Sequence, residues 1–148
     1  RGLDIFKTEK GDCFHCHSST APEVFISPDR TFANNGLDSV SSVLDFADFG
    51  LGKFTGNTND YGRFKIPTLR NLAFTAPYMH DARFATLDEV IDFYNDGPKG
   101  SLTLEPIMRE KANKRVELTG HWGLSLSTQE KADLKAFLLT LSDSTFIR

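Results

Sequence analysis

Residues 13–17 read Cys13-Phe14-His15-Cys16-His17. The spacing carries chemistry. Two thiols three residues apart lie on one turn of chain, and the imidazole that follows the second thiol is held beside them. This C-x-x-C-H arrangement is the attachment signature of c-type haem, in which each thiol bonds one vinyl group and the histidine presents a ring nitrogen to the iron. The chain has no other cysteine, so Cys13, Cys16 and His17 form the whole of this constellation. Three other uses of such a pair compete. A redox-active dithiol needs a βαβ setting, which the flanking sequence lacks. A zinc site recruiting His15, His17, His80 or His121 lacks a second ligand pair at finger spacing. A plain disulfide in an oxidising compartment stays open. His15, between the thiols, is expected to point away from the ring and into solvent.

Outward from this run the signals are helical. Ser127 with Glu130 forms a capping box, and Leu134, Phe137, Leu138 and Leu141 follow on one face. Thr86 with Glu89 forms another over residues 86–95, with Leu87, Val90, Ile91 and Tyr94 at the same spacing and Gly97 as the stop. A short helix is expected over residues 2–10, with Leu3 and Phe6 on its inner side. Pro67 suits the first position of a fourth helix. Residues 17–61 change character: Ser, Asn, Asp and Gly are frequent and no period persists. This reads as a long irregular excursion with a short turn over residues 40–46, a length that wrapping a cofactor explains. No β-alternation and no internal repeat stands out. The expected fold class is all-α, a cytochrome c fold with long irregular loops around a covalent haem. The helix near Leu3 should pack on the helix near Phe137.

Length and composition set bounds. A chain of 148 residues suits one domain, residues 1–148, and can bury a core without disulfides. The 13 Phe against 3 Tyr and 1 Trp suit a core built around a large ring, or simply a Phe-rich core. The net charge of -3 and the absence of a basic stripe argue against nucleic acid. No run is long enough to span a bilayer. The chain opens Arg1-Gly2-Leu3 without an initiator Met, which suggests a removed leader or a piece of a longer protein.

Residues 64–97 read FKIPTLRNLAFTAPYMHDARFATLDEVIDFYNDG. With RGLDIF at residues 1–6 and LSTQEKADLKAFLLTLS at residues 126–142, this stretch resembles the C-terminal haem domain of the bacterial di-haem cytochrome c peroxidases, on the branch that includes MauG-type enzymes. Residues 18–61 match only loosely. The resemblance implies the C-terminal half of a larger two-haem protein. Its haem would receive electrons from a small electron-donor protein. It would pass them to a peroxide-reducing haem in an N-terminal domain, which also carries the groups that cleave the O–O bond. The chain alone would then have little peroxidase activity. Covalent attachment follows export, so the resemblance places the protein in the periplasm. A stand-alone mono-haem electron carrier and a MauG-like enzyme oxidising a protein side chain are the alternatives.

Five residues offer a second iron ligand: Tyr94, Met79, Met108, His80 and His121. By spacing alone Tyr94 reads as a core aromatic, and the two methionines as packing residues. The resemblance points to Tyr94, since the family's distal ligand follows its T-L-x-E segment, methionine in the peroxidases and tyrosine in the MauG branch. A soft thioether raises the potential and a hard phenolate lowers it. Arg70, in the PTLRN run, suits a haem propionate, because a buried carboxylate needs a planar cation. Arg63 and Lys65 are weaker candidates. The resemblance gives His80 a hydrogen-bonding role near a propionate or the domain interface. It also gives the backbone carbonyls of Thr75 and Pro77 a calcium ion shared with the other domain. Ala82 departs from the family's glycine, so the turn there is expected to differ.

Overall fold

The structure is a computed structural model that describes residues 1–17 and 32–146. Five α-helices carry it among these residues: α1 (Gly2–Phe6), α2 (Gly52–Thr55), α3 (Leu87–Asp96), α4 (Pro106–Thr119) and α5 (Thr128–Leu139). Two short strands, β1 (Phe32–Ala33) and β2 (Phe64–Lys65), pair antiparallel, with Phe32 opposite Lys65 and Ala33 opposite Phe64. The fold is therefore helix-rich, as expected, with a small two-stranded sheet that the all-α expectation did not include. Strands of two residues are too short to show the period-two alternation that would announce them. The expected excursion over residues 17–61 is partly organised, with a 3₁₀ turn at Val43–Asp45 capped by Ser42, then α2. Its first part, residues 18–31, lies outside the described residues.

Both capping boxes form. Glu89 N–H donates to Thr86 Oγ1 at 3.3 Å and Thr86 N–H donates to Glu89 Oε2 at 2.8 Å. Ser127 and Glu130 repeat the exchange at 3.3 and 2.8 Å. Each pair satisfies donors that the first helical turn leaves orphaned, which fixes where α3 and α5 begin. Their buried faces, Leu87 and Ile91 on α3 and Leu134 and Leu138 on α5, join Ile5, Phe6, Leu72 and Leu126 in one apolar core.

α1 is shorter than the sequence suggested and turns a different side inward. It ends at Phe6, and Gly2, Ile5 and Phe6 are buried while Leu3 is exposed. The reason is the crossing with α5. A Cβ on Gly2 would lie 2.0 Å from the Asp133 carbonyl oxygen and 2.7 Å from Phe137 Cβ, so glycine lets the two backbones touch. Phe6 and Phe137 then meet at a centroid distance of 5.3 Å. The chain leaves α1 through a second close approach, where Gly11 N–H donates to the Ile5 carbonyl at 3.0 Å.

One further expectation fails. Pro67 opens no helix. Residues 66–69 belong to no helix or strand, and the chain turns at Asn71, φ 62°, into a 3₁₀ turn at Leu72–Phe74. Conversely, α4 has no counterpart in the sequence reading. It buries Ala112 alone, so it lacks the apolar stripe by which a helix is usually found. Its ends were legible all the same, with Pro106 in the first turn and Gly120 just beyond the last.

Candidate haem-binding site

The Cys-x-x-Cys-His run is a single turn anchored on the core. Cys13–His15 form a 3₁₀ turn, Cys16 N–H donates to the Cys13 carbonyl at 3.2 Å, and His17 N–H donates to the same oxygen at 2.9 Å. The spacing thus brings Cys13, Cys16 and His17 together. Cys13 packs partly against the apolar core. No disulfide joins Cys13 and Cys16. Burial pushes the Cys13 thiol up to about 12, with the charges of Asp12 and Cys16 adding to the effect.

Charged side chains fix the turn from outside. Asp12, at φ 58°, precedes Cys13 and is mostly buried. It pairs with Arg115 of α4, and its carboxylate lies 3.2 Å from His15 Nε2. Glu9 bridges Lys111 of α4 at 2.6 Å and His15 at 3.4 Å. His15 is therefore not the solvent-facing residue the sequence suggested. It is half-buried because two carboxylates flank it. Among the described residues, Glu9, Asp12 and His15 also form the group with metal-ligand chemistry, but Lys111 and Arg115 already neutralise its carboxylates. Burial raises the Asp12 carboxyl above the usual carboxylate range, and Arg115 opposes that rise.

Tyr94, on α3, belongs to the same environment. Burial pushes its phenol up to about 12, a hydrogen bond from Asn35 works the other way, and the charges of Cys16 and Cys13 reach it. Asn35 Nδ2 lies 3.3 Å from the Tyr94 hydroxyl and 3.7 Å from Met79 Sδ. Sequence reasoning missed Asn35, because a contact spanning 59 positions leaves no local trace. Among the other ligand candidates, Met108 sits half-buried on α4, and His121 is exposed, with Nδ1 accepting from Gly123 N–H at 3.1 Å.

The remaining expected residues sit on other segments of the fold. Arg70 is exposed at the head of the Leu72–Phe74 turn. Arg63 pairs with the buried Glu105 at 3.5 Å. The His80 ring stacks on Phe64 of β2 at a centroid distance of 3.5 Å. Thr75 and Pro77 lie on an exposed loop with a cis Ala76–Pro77 bond. Ala82 takes φ 60°, the conformation a glycine would adopt, so the turn keeps the backbone form that glycine favours. No helix among the described residues is long and apolar enough to cross a membrane.

No family model matches the chain. Relatives do. Cytochrome-c peroxidase IdrP2 of Pseudomonas sp. (strain SCT) is 32% identical over 99% of this chain and 40% of its own length. The methylamine utilization protein MauG of Methylorubrum extorquens is 32% identical over 95% of this chain and 33% of its own. A solved MauG-like protein associated with microbial copper homeostasis superposes with a TM-score of 0.75 at 36% identity, over 99% of this chain and 47% of that one. The chain belongs to the cytochrome c peroxidase/MauG family. It spans about two fifths of the length of the IdrP2 relative. Membership makes it part of a haem-dependent, peroxidase-type oxidoreductase family. The donor set fits haem c: two thiols joined by no disulfide and an imidazole lie on one turn, and elsewhere a half-buried phenol and a thioether meet on a single amide.

Proposed function

We propose that this chain is the electron-transfer haem c domain of a two-haem peroxidase, taking electrons from a small donor protein. They would pass to a peroxide-reducing haem in an N-terminal domain of the same protein. One observation carries the reading: Cys13, Cys16 and the imidazole of His17 share one turn, with no disulfide between the thiols. In this reading Cys13 and Cys16 would hold the haem through two thioether bonds, and His17 and Tyr94 would ligate its iron. The bound group supplies one-electron iron chemistry, with a potential set by its axial ligands.

The chain's own residues do the positioning. The Cys13–His15 turn places His17 next to the second thiol, and Asp12, Glu9, Lys111 and Arg115 clamp that turn to α4. Arg70 and His80 are assigned to the propionates and the domain interface. The carbonyls of Thr75 and Pro77 would contribute to a calcium ion completed by the other domain. Protein made with covalent haem is exported, so the compartment is the periplasm. The family resemblance assigns O–O cleavage to groups of the N-terminal domain, and the domain alone is proposed to be inactive as a peroxidase.

The test is export with cytochrome c maturation machinery, followed by intact mass and by oxidised and reduced absorption spectra. One haem mass that survives denaturation, with sharp reduced c-type bands, is expected. An unmodified mass would sink the reading. Peroxide turnover by this chain equal to that of an intact two-haem relative would remove the electron-transfer assignment. A second reading, oxidation of a protein side chain as in MauG-type enzymes, is favoured by tyrosine rather than methionine at position 94.

A further inference from the structure

Asn35 is held from both sides. Its neighbour Asn34 is buried and donates to Ser101 Oγ at 2.9 Å and Thr103 Oγ1 at 3.0 Å, while Asn34 Oδ1 accepts from Gly36 N–H at 2.9 Å. Just beyond, the Arg83 guanidinium donates to the Leu37 carbonyl at 3.2 Å and to both Asp38 carboxylate oxygens at 3.0 Å. Arg83 also grips Asp81 at 2.5–2.7 Å, so the segment around Asn35 is tied to the loop that carries Met79. Met79 itself sits at φ 73°, a conformation that persists in a methionine only where the surroundings over-determine it. Between these two anchored segments the Asn35 amide meets the Tyr94 hydroxyl and the Met79 sulfur.

The sulfur settles which end of the amide faces the site. A thioether has lone pairs and no proton, so it accepts only. The NH₂ end of Asn35 therefore points at Met79, and the same nitrogen meets the Tyr94 oxygen as a donor. We propose that Asn35 is a positioning residue for the distal ligand, its amide donating to the Tyr94 oxygen and leaving the remaining lone pairs of that oxygen for iron. This rests on the assignment of Tyr94 as ligand made above. A hydrogen bond drawn from a ligating oxygen withdraws electron density from it. The oxygen then stabilises ferric iron less, and the potential is higher than that of a bare phenolate.

Two variants remove the donor: Asn35→Leu, which is neutral, and Asn35→Asp, which keeps the shape. Tyr94→Phe removes the ligand. Each is made in the exported, haem-loaded protein and read by intact mass, by the oxidised absorption spectrum and by redox titration. Loss of one charge-assisted hydrogen bond is expected to move the oxidised-to-reduced ratio at a fixed potential about tenfold toward oxidised, about 59 mV for one electron, with a shifted phenolate charge-transfer band. Attachment is expected to stay complete in both Asn35 variants, and either one alone decides the matter if the other fails to mature. If Tyr94→Phe changes spectrum and potential while the Asn35 variants match the native protein, the role of Asn35 is overturned and Tyr94 stands. If Tyr94→Phe leaves the oxidised spectrum intact, Tyr94 is not the ligand and both assignments fall.

Discussion

Replacing Arg115 by methionine tests how the haem-motif turn is held. The variant keeps an apolar stem of similar length and deletes the charge. In the native protein the Asp12 side chain is 12% exposed and that of Arg115 19%, so the pair is largely withdrawn from water. Breaking one partner of such a pair costs about 3–5 kcal/mol, because the other charge stays buried alone. His15 remains beside Asp12 at 3.2 Å, which puts the expected loss near the lower end, about 3 kcal/mol at neutral pH. The loss depends on pH with a definite sign. Burial already lifts the Asp12 carboxyl above its unfolded value, and Arg115 is the main influence opposing that rise. A carboxyl raised in the folded state favours folding at low pH, and that benefit fades as pH climbs through the folded pKa. Without Arg115 the folded pKa rises further, so the deficit is largest near neutrality and shrinks as Asp12 takes up a proton. Urea denaturation of haem-loaded parent and variant, at neutral pH and just above the ordinary aspartate pKa of about 3.9, measures both numbers. Adding Asp12→Asn to Arg115→Met should recover much of the neutral-pH loss, since asparagine tolerates the left-handed backbone and carries no charge. A deficit below about 1 kcal/mol, or one equal at both pH values, refutes the argument and marks the pair as solvent-screened.

Two other stability changes follow from the backbone. Gly2→Ala should destabilise by about 2–3 kcal/mol, because the new Cβ meets the backbone oxygen of Asp133 and nothing flexible can yield; an unchanged thermal midpoint would contradict the α1–α5 crossing. Ala82→Gly should stabilise by about 0.5–1 kcal/mol, the relief at φ 60° exceeding the extra chain entropy of glycine, and a loss of stability in the same denaturation assay would refute it.

What the sequence revealed depended on range. The motif turn and the two capping boxes are encoded within three to five consecutive residues, and the structure keeps them where they were read. Leu3 and Phe6 were expected to share one side of α1, but with the close crossing permitted by Gly2 it is Ile5 and Phe6 that are buried, and Leu3 is left exposed. Pro67 had the right chemistry for a helix start, yet the left-handed Asn71 and the short turn after it take the chain elsewhere. α4 escaped notice because it is held by charges to Glu9 and Asp12, roughly a hundred residues away, rather than by an apolar stripe. Asn35 escaped for the same reason: its partners Met79 and Tyr94 are brought to it only by the finished fold.

The way α4 is attached has a consequence for how the molecule opens. A helix that buries little beyond Ala112 and is fastened by Lys111 and Arg115 has few apolar contacts to break when it detaches. Local opening free energies follow such contacts, so the amides of α4 exchange with solvent ahead of those of α5, and earlier still at high ionic strength. Each such opening also strips the Cys13–His17 turn of two neighbouring cations. The segment least visible in the sequence thus governs how often the haem-motif turn is exposed.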